Sequence, residues 1–336
     1  MMQNKEDMIT VKVSELKQLC MERLRDVQVP EEEAERIADI LIESDQRGVH
    51  SHGVVCLARY INLMKKGEMK KRLQFHVLND SGASVVLDGE HSNGQLLGVQ
   101  GMEIAIERAG TYGIAAVGVR NSSHFGAGAY YSKLAAQKGM IGITASTGSP
   151  TMAPWGGAER VIGNNPLAIA VPVKGKVPLM LDMAMSVVAF GKITNMAKQG
   201  IPCIPQGWAL DENGRETTDI SKVYSVIPAA GYKGYGLALM IDILAGILVG
   251  GATGVRAGDD QNGPSHLFIA IDISKFGDEN IFYQELENRI REIKSCRLAE
   301  GTKEILMPGE LENITYEHSR EYVSLIREIY EELIEK

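Results

Sequence analysis

The sequence predicts an α/β core with an α-helical lead-in, and three observations carry that expectation. Beyond Gly67, short apolar β-branched runs alternate with helix-like segments. Before Gly67, apolar residues recur at helical spacing. The chain has 336 residues, 44% of them hydrophobic and 23% charged, which suits a soluble globular protein with a sizeable core.

Ser14 to Arg25 is amphipathic, so a first helix is expected there. Pro30 followed by Glu31, Glu32 and Glu33 starts a second, because proline suits the first turn and acids face the positive end of the helix dipole. That helix should end near Gly48. A third carries Leu57, Tyr60, Ile61 and Met64 at i, i+3, i+4 and i+7, with Ser51 as its expected N-cap. His50 and His52 are two apart and do not share a helix face, so no zinc pair is expected.

Ser84 to Asp88 then reads as a strand and Gln95 to Ala109 as a helix. Ile114 to Val119 is a strand bounded by glycines, and Ala127 to Gln137 has helical composition. Met140 to Ser146, Leu167 to Val171 and Leu179 to Asp182 add strands, and Ser186 to Gln199 a helix. A loop-rich section around Trp208 to Asp219 follows. Gly234 to Gly251 is apolar enough to suggest a membrane span, but Asp242 and several glycines interrupt it, so a buried helix is expected. His266 to Asp272 reads as a strand, Phe282 to Ile293 as a helix, and Tyr316 to Lys336 as a terminal acidic helix.

The formal charge of -8 argues against a general phosphate-backbone binder, and no nucleic-acid motif is present. Cys20, Cys56, Cys203 and Cys296 form no CxxC, which suggests neither a zinc site nor a disulfide framework and fits a reducing cytosol. The opening MMQNKEDMIT lacks a signal peptide's apolar core, so a cytoplasmic protein without a membrane anchor is expected.

His124 lies in the strand-to-helix loop Arg120-Asn121-Ser122-Ser123-His124-Phe125-Gly126, a position where rigid scaffolds present polar groups to ligands. Taken alone it equally fits a helix cap or the partner of a buried carbonyl. The segment from Gly126 lacks the third glycine of GxGxxG and a following acid, so a standard Rossmann site is not expected. Gly231-Tyr-Lys233-Gly234-Tyr-Gly236 is not a Walker loop. Its glycine N–H groups and Lys233 suit an anion, and a solvent lysine beside a helix entry fits equally well.

The motifs Arg47-Gly-Val-His-Ser51-His52-Gly53, Asn121-Ser-Ser-His124-Phe-Gly126, Met152-Ala-Pro154-Trp-Gly156-Gly157, Gly163-Asn-Asn165-Pro166, Asp182-Met183-Ala184, Gly191-Lys192-Ile193, Ala230-Gly-Tyr-Lys233-Gly234-Tyr-Gly236 and Pro308-Gly309-Glu310 occur in this order across almost the whole chain. Together they resemble the type-2 malate/L-lactate dehydrogenase family. That family includes malate, sulfolactate and ureidoglycolate dehydrogenases and some ketimine and diketogulonate reductases. The resemblance implies a non-Rossmann nicotinamide-binding mixed-sheet domain, over about 71–280. It also implies a helical segment, 1–70, packed with the C-terminal helices of about 281–336, and a homodimer.

It further implies a cofactor, NAD with NADP as the alternative, and a small 2-hydroxy or 2-oxo acid as partner, malate first. His124 matches the family's proton acceptor, and imidazole suits that work because its ordinary pKa lies near neutrality. Ser51 and His52 match residues lining the substrate pocket. Gly148, Asp182, Met183, Ala184, Lys233, Gly234 and Gly309 match cofactor contacts, and no metal is implied.

The chain departs from the family at Cys56, where relatives commonly carry an arginine able to grip a carboxylate as a fork. Arg59, at i+7 from His52, or Arg47 could take over, so the change bears on substrate identity more than on reaction class. A catalytically reduced protein that keeps the fold to bind a cofactor or partner is the alternative of a different class. A hydrolase is disfavoured because no GxSxG or metal cluster is present.

Overall fold

The computed structural model describes residues 8–198, 200–258 and 262–335. The leader expectation rests largely on residues 1–7, which lie outside them, as do Gln199 and Lys336 at the ends of two expected helices.

The chain opens with β1 (Met8–Lys12), α1 (Val13–Asp26) and α2 (Glu31–Gln46), with Pro30 at the N-cap of α2 and Glu31, Glu32 and Glu33 in its first turn. Two 3-10 turns, His50–His52 and Val54–Cys56, lead into α3 (Leu57–Lys66). That helix buries Leu57, Tyr60 and Met64 and stops at Gly67, whose φ of 78° allows its N–H to reach the Leu63 carbonyl. Ser51 is not the cap expected from sequence. It sits inside the first 3-10 turn, and Cys56 occupies the cap of α3 without a side-chain bond.

β2 (His76–Asp80), β3 (Ser84–Asp88), α4 (Gly94–Tyr112), β4 (Ile114–Arg120), α5 (Gly128–Ala136) and β5 (Met140–Ser146) follow. Asn93 caps α4, its side chain accepting from the N–H groups of Gln95 at 2.9 Å and Leu96 at 3.2 Å. Next come β6 (Pro150–Met152), β7 (Ile162–Gly163), β8 (Leu167–Val171), β9 (Leu179–Met183) and α6 (Phe190–Lys198). The chain continues with β10 (Ala209–Leu210), β11 (Glu216–Thr217), β12 (Ser225–Val226) and α7 (Tyr232–Ile241). It ends with β13 (His266–Asp272), α8 (Glu279–Ser295), α9 (Glu310–His318), β14 (Tyr322–Ile326) and α10 (Arg327–Ile334).

The main sheet has seven strands in the order β2-β3-β4-β13-β5-β8-β9. Only β3 and β4 pair in parallel; the other neighbours are antiparallel, so the sheet is mixed, as expected. β13 arrives late in the chain and inserts between β4 and β5, with His266 opposite Val119 on one side and Ser146 on the other. That insertion carries a histidine beneath the loop that follows β4. A smaller five-stranded sheet, β11-β10-β12-β6-β7, flanks it.

The helical layer has its own core, drawn from Leu16, Cys20, Leu24, Ile37, Leu41, Leu57, Tyr60 and Met64 together with Val323, Leu325 and Leu333 from the C-terminal region. β1 pairs antiparallel with β14, Met8 opposite Ile326 and Lys12 opposite Tyr322. The single terminal helix expected over 316–336 is therefore three elements, because alternating Val323 and Leu325 face the core from a strand. α8 contributes no buried residue and contacts the 3-10 turn Ile273–Lys275.

The apolar stretch expected to be a buried helix is buried on one face only. α7 continues through a π-turn, Asp242–Gly246, and a 3-10 turn, Ile247–Val249. Ala238, Ile241, Ala245 and Val249 face inward, whereas Leu244, Ile247 and Leu248 are 47%, 59% and 67% exposed. Hydropathy along the chain reports how apolar a helix is and not what covers it.

The β1–β14 pair closes the helical layer, so shaving its core should unsettle that layer. Leu325→Ala should lower unfolding free energy by about 2–5 kcal/mol, the range for removing a buried leucine. Urea denaturation measures this, and a midpoint equal to wild type would refute the assigned role of β14.

Candidate active site

The segment that carries Ser51 and His52 is shaped from below by Asp45. This buried carboxylate accepts from the Val54 N–H at 2.7 Å and from the His50 ring at 2.9 Å. A Cβ at position 53 would lie 2.1 Å from the same carboxylate, so the site demands glycine. His50 is thus a structural partner, and His52 is left free of that carboxylate, its Nδ1 2.9 Å from the Ser51 hydroxyl.

The loop from Arg120 to Gly126 is pinned along its length. Arg120 Nε and Asn121 Nδ2 both donate to Asp88 Oδ2, at 3.0 and 2.9 Å. The hydroxyls of Ser122 and Ser146 lie 2.8 Å from opposite nitrogens of His266. Ser123 Oγ accepts from the Gly94 N–H at 2.7 Å and donates to the Ser92 carbonyl at 3.0 Å. Phe125 stacks on His266 with ring centroids 4.2 Å apart, and its carbonyl accepts from the Tyr131 hydroxyl. Gly126, at φ 83°, turns the chain into α5.

His124 stands between these two segments. Its Nδ1 lies 2.7 Å from the Tyr60 hydroxyl oxygen on α3, and its ring stacks on that of His52 at 5.5 Å. Desolvation pushes its pKa down to about 3, with His52, Arg59 and His266 adding to the effect. At neutral pH the imidazole is therefore uncharged and has a nitrogen lone pair to offer.

One cleft of about 630 Å³ joins these groups, a size suited to a small ligand. Ser51, His52, Arg59 and His124 line it, as do Gly148, Asp182, Met183, Ala184 and Gly309 from the opposite elements. Lys233 and Gly234 are not among its lining residues: Lys233 is exposed on the first turn of α7, and Gly234 is buried behind it. Cys56 is also absent from the lining, its thiol directed to the Ser51 carbonyl at 3.5 Å. Arg47 does line the cleft, with Nε donating to Glu43 at 2.7 Å, its guanidinium over Tyr316, and Nη1 buried without a partner.

The far wall is rich in glycine. Gly126, Gly128, Gly148 and Gly309 all line it, and the Gly148 N–H donates to Asn165 Oδ1 at 3.0 Å. Asn165 is fully buried and in turn donates to the Ala238 carbonyl at 2.8 Å and to Asp242 at 2.9 Å, tying the cleft wall to α7. Asp182 Oδ2 accepts from the Ala129 N–H at 2.8 Å, at the start of α5. Although open to the cleft, Asp182 is recessed in protein, and desolvation, reinforced by Glu312, raises its pKa to about 6.

Sequence reasoning placed His124, Ser51, His52, Arg59, Gly148, Asp182, Met183, Ala184 and Gly309 in a site, and all nine share this cleft. It assigned no role to Tyr60, His266, Asn165 or Glu312. By its helical spacing Tyr60 reads as one of the apolar positions of α3. Asn165 lies in the Gly163–Pro166 motif, and its left-handed backbone, at φ 28°, adds to the constraint of its buried hydrogen bonds.

A sequence profile described as malate/L-lactate dehydrogenase matches residues 11–334. A malate dehydrogenase of Pyrococcus abyssi is 38% identical over 325 residues, covering 93% of this chain and 89% of the relative. An L-sulfolactate dehydrogenase of Methanocaldococcus jannaschii is 38% identical over 328 residues, covering 95% and 94%. Among solved structures, malate dehydrogenase from Pyrococcus horikoshii superposes with a TM-score of 0.88 at 35% identity, covering 99% of this chain and 95% of that one.

Asp182 favours its protonated form in the folded state, so it weakens folding as pH rises from its ordinary 3.8 through about 6. Asp182→Asn keeps an acceptor for the Ala129 N–H and removes that penalty. The variant should melt above wild type at pH 7, with the difference shrinking toward pH 4. A melting difference that does not vary with pH would show that Asp182 is not held this way.

Proposed function

The chain belongs to the malate/L-lactate dehydrogenase family, and we propose that it is an NAD(P)-dependent dehydrogenase interconverting a small 2-hydroxy acid and its 2-oxo acid. The observation that carries this reading is that one cleft gathers a neutral histidine, a cationic arginine and a glycine-lined wall.

The residues present fit a nicotinamide cofactor. Gly128, Gly148 and Gly309 line the far wall without side chains to cover the main chain there. Asp182, Met183 and Ala184 offer a carboxylate and main-chain groups beside it. The bound cofactor supplies the hydride acceptor, chemistry that no side chain here provides. NAD is the first choice and NADP the alternative.

In the oxidative direction the substrate lies against Ser51, His52 and Arg59. Arg59, which lines the cleft, takes the carboxylate, while His124 Nε2 removes the hydroxyl proton as general base. Relatives named malate and L-sulfolactate dehydrogenase support a substrate with a second acidic group, malate before sulfolactate, lactate or ureidoglycolate. Cys56 brings no guanidinium to the cleft, so Arg59 and Arg47, which line it, are the cations available to that second group.

The exposed face of α7 and the turns after it, with Leu237, Met240, Leu244, Ile247 and Leu248, supports a homodimer. The enzyme is proposed to act in the cytoplasm.

Assays of malate, lactate, sulfolactate and ureidoglycolate, each with NAD and with NADP, test the reading, and malate with NAD should give the highest kcat/KM. His124→Ala should lower turnover by about 100-fold or more, the scale of a lost general base, with cofactor affinity unchanged. Wild-type turnover in a folded variant would remove His124 from the mechanism. For the assembly, analytical ultracentrifugation should find a dimer that Leu248→Glu shifts to monomer; a wild-type monomer would refute it.

A further inference from the structure

Gly148 and Asn164 meet on the wall of the cleft that faces away from α2 and α3, and both line it. The Gly148 N–H donates to Asn165 Oδ1 at 3.0 Å, and its carbonyl oxygen packs on Gly163, 2.5 Å from where a Cβ there would stand. Position 148 therefore has no free N–H for a ligand. A Cβ at 148, however, would lie 3.1 Å from Asn164 Oδ1, so the Asn164 carboxamide borders the space that a side chain at 148 would enter.

That carboxamide is displayed from a rigid base. The Asn164 carbonyl accepts from the Met185 N–H at 2.7 Å, and the next residue, Asn165, is fully buried with both ends of its amide bonded. The Asn164 side chain itself is partly buried and makes no hydrogen bond to any described residue. Its neighbours in the wall are already committed: Ser146 lies 2.8 Å from His266 Nδ1, and Thr147 Oγ1 accepts from the Ser265 N–H at 2.9 Å. Asn164 thus brings the cleft one acceptor and two donors that the fold does not use. The same wall reaches the reacting end, because the His266 ring bonded to Ser146 stacks at 4.2 Å on Phe125, the residue after His124.

We propose that Asn164 is a cofactor-binding residue that reads the carboxamide of the nicotinamide ring, pairing amide with amide. The inference rests on the dehydrogenase reading above: hydride passes directly between substrate and ring, so the ring belongs beside the carbon whose hydroxyl His124 deprotonates. A primary carboxamide is the complement of an asparagine side chain. Oδ1 accepts one of its N–H groups while Nδ2 donates to its carbonyl, whereas a phosphate would meet only the donor half of Asn164. Glycine at 148 leaves that side chain its place. Held by two bonds from a rigid base, the ring has one rotation about its link to the ribose, and one face toward the substrate.

Calorimetric titration of the full-length protein tests this without turnover. The probes are whichever of NAD and NADP it binds and that cofactor's 3-acetylpyridine analogue, in which a methyl group replaces the carboxamide NH2. Wild type should bind the natural cofactor about 3- to 10-fold more tightly than the analogue, the scale of one hydrogen bond. Asn164→Ala should weaken the natural cofactor by about 10-fold, bring the ratio of the two dissociation constants near unity, and leave the melting temperature of the cofactor-free protein unchanged, since the side chain bonds to nothing in the fold. A variant that binds the natural cofactor as wild type does overturns the proposal. So does equal weakening of both probes with the ratio preserved, which would place Asn164 on another part of the ligand. Wild-type protein that binds neither dinucleotide would remove the dehydrogenase reading as well, whereas the other two contrary results leave that reading standing.

Discussion

The hydrogen bond between Tyr60 and His124 is where the two layers of this molecule meet in chemistry. Tyr60 belongs to the core of the helical layer, packed with Leu57 and Met64, and His124 to a loop at the end of the main sheet. A 2.7 Å bond between them requires both layers to be set to within a fraction of an ångström. The β1–β14 pair and the cores on either side therefore bear on the reactive nitrogen, although most of their residues lie far from the cleft.

The loop that holds His124 accepts strain and offsets it locally. Asn121 has a φ of 51°, which costs a non-glycine residue about 1–3 kcal/mol. Its side chain and that of Arg120 both donate to the Asp88 carboxylate, and charge-assisted bonds contribute about 1.5–3 kcal/mol each. The bonds are large enough to hold the strained conformation. Beneath the loop, His266 bridges two serine hydroxyls in the sheet interior, with its pKa pushed down to about 3 by desolvation. A neutral ring there supports the loop without placing a second full charge behind His124.

Much of this was legible in the residues, and the exceptions have physical causes. The strands at 84–88, 140–146, 167–171 and 266–272 announce themselves as apolar β-branched runs between glycines and polar turns. β1 and β14 do not, because each is a five-residue segment stabilised by a partner more than 300 positions away. His124 could be found because its loop is polar and glycine-flanked. Tyr60 could not, since its hydroxyl partner lies 64 residues on and an aromatic residue at helical spacing reads as core. Asp45 and Gly53 explain the Arg47–Gly53 motif only once the carboxylate is seen to occupy the space of a Cβ. Lys233, placed with the cofactor contacts from sequence, is exposed on α7 and does not line the cleft of its own chain.

Under the proposed mechanism, one cleft removes a proton through His124 and a hydride, to a nicotinamide bound there, from the same substrate carbon–oxygen unit. Kinetic isotope effects measured together on the oxidative reaction test it most directly, using 2-hydroxy acid deuterated at carbon 2 and solvent deuterium oxide. Wild type should show a primary substrate effect and a solvent effect on the chemical step, with the deuterium recovered on the reduced nicotinamide. A folded His124→Ala protein should keep the substrate effect and lose the normal solvent effect. Deuterium lost to solvent, or a solvent effect that survives unchanged without His124, would contradict the account.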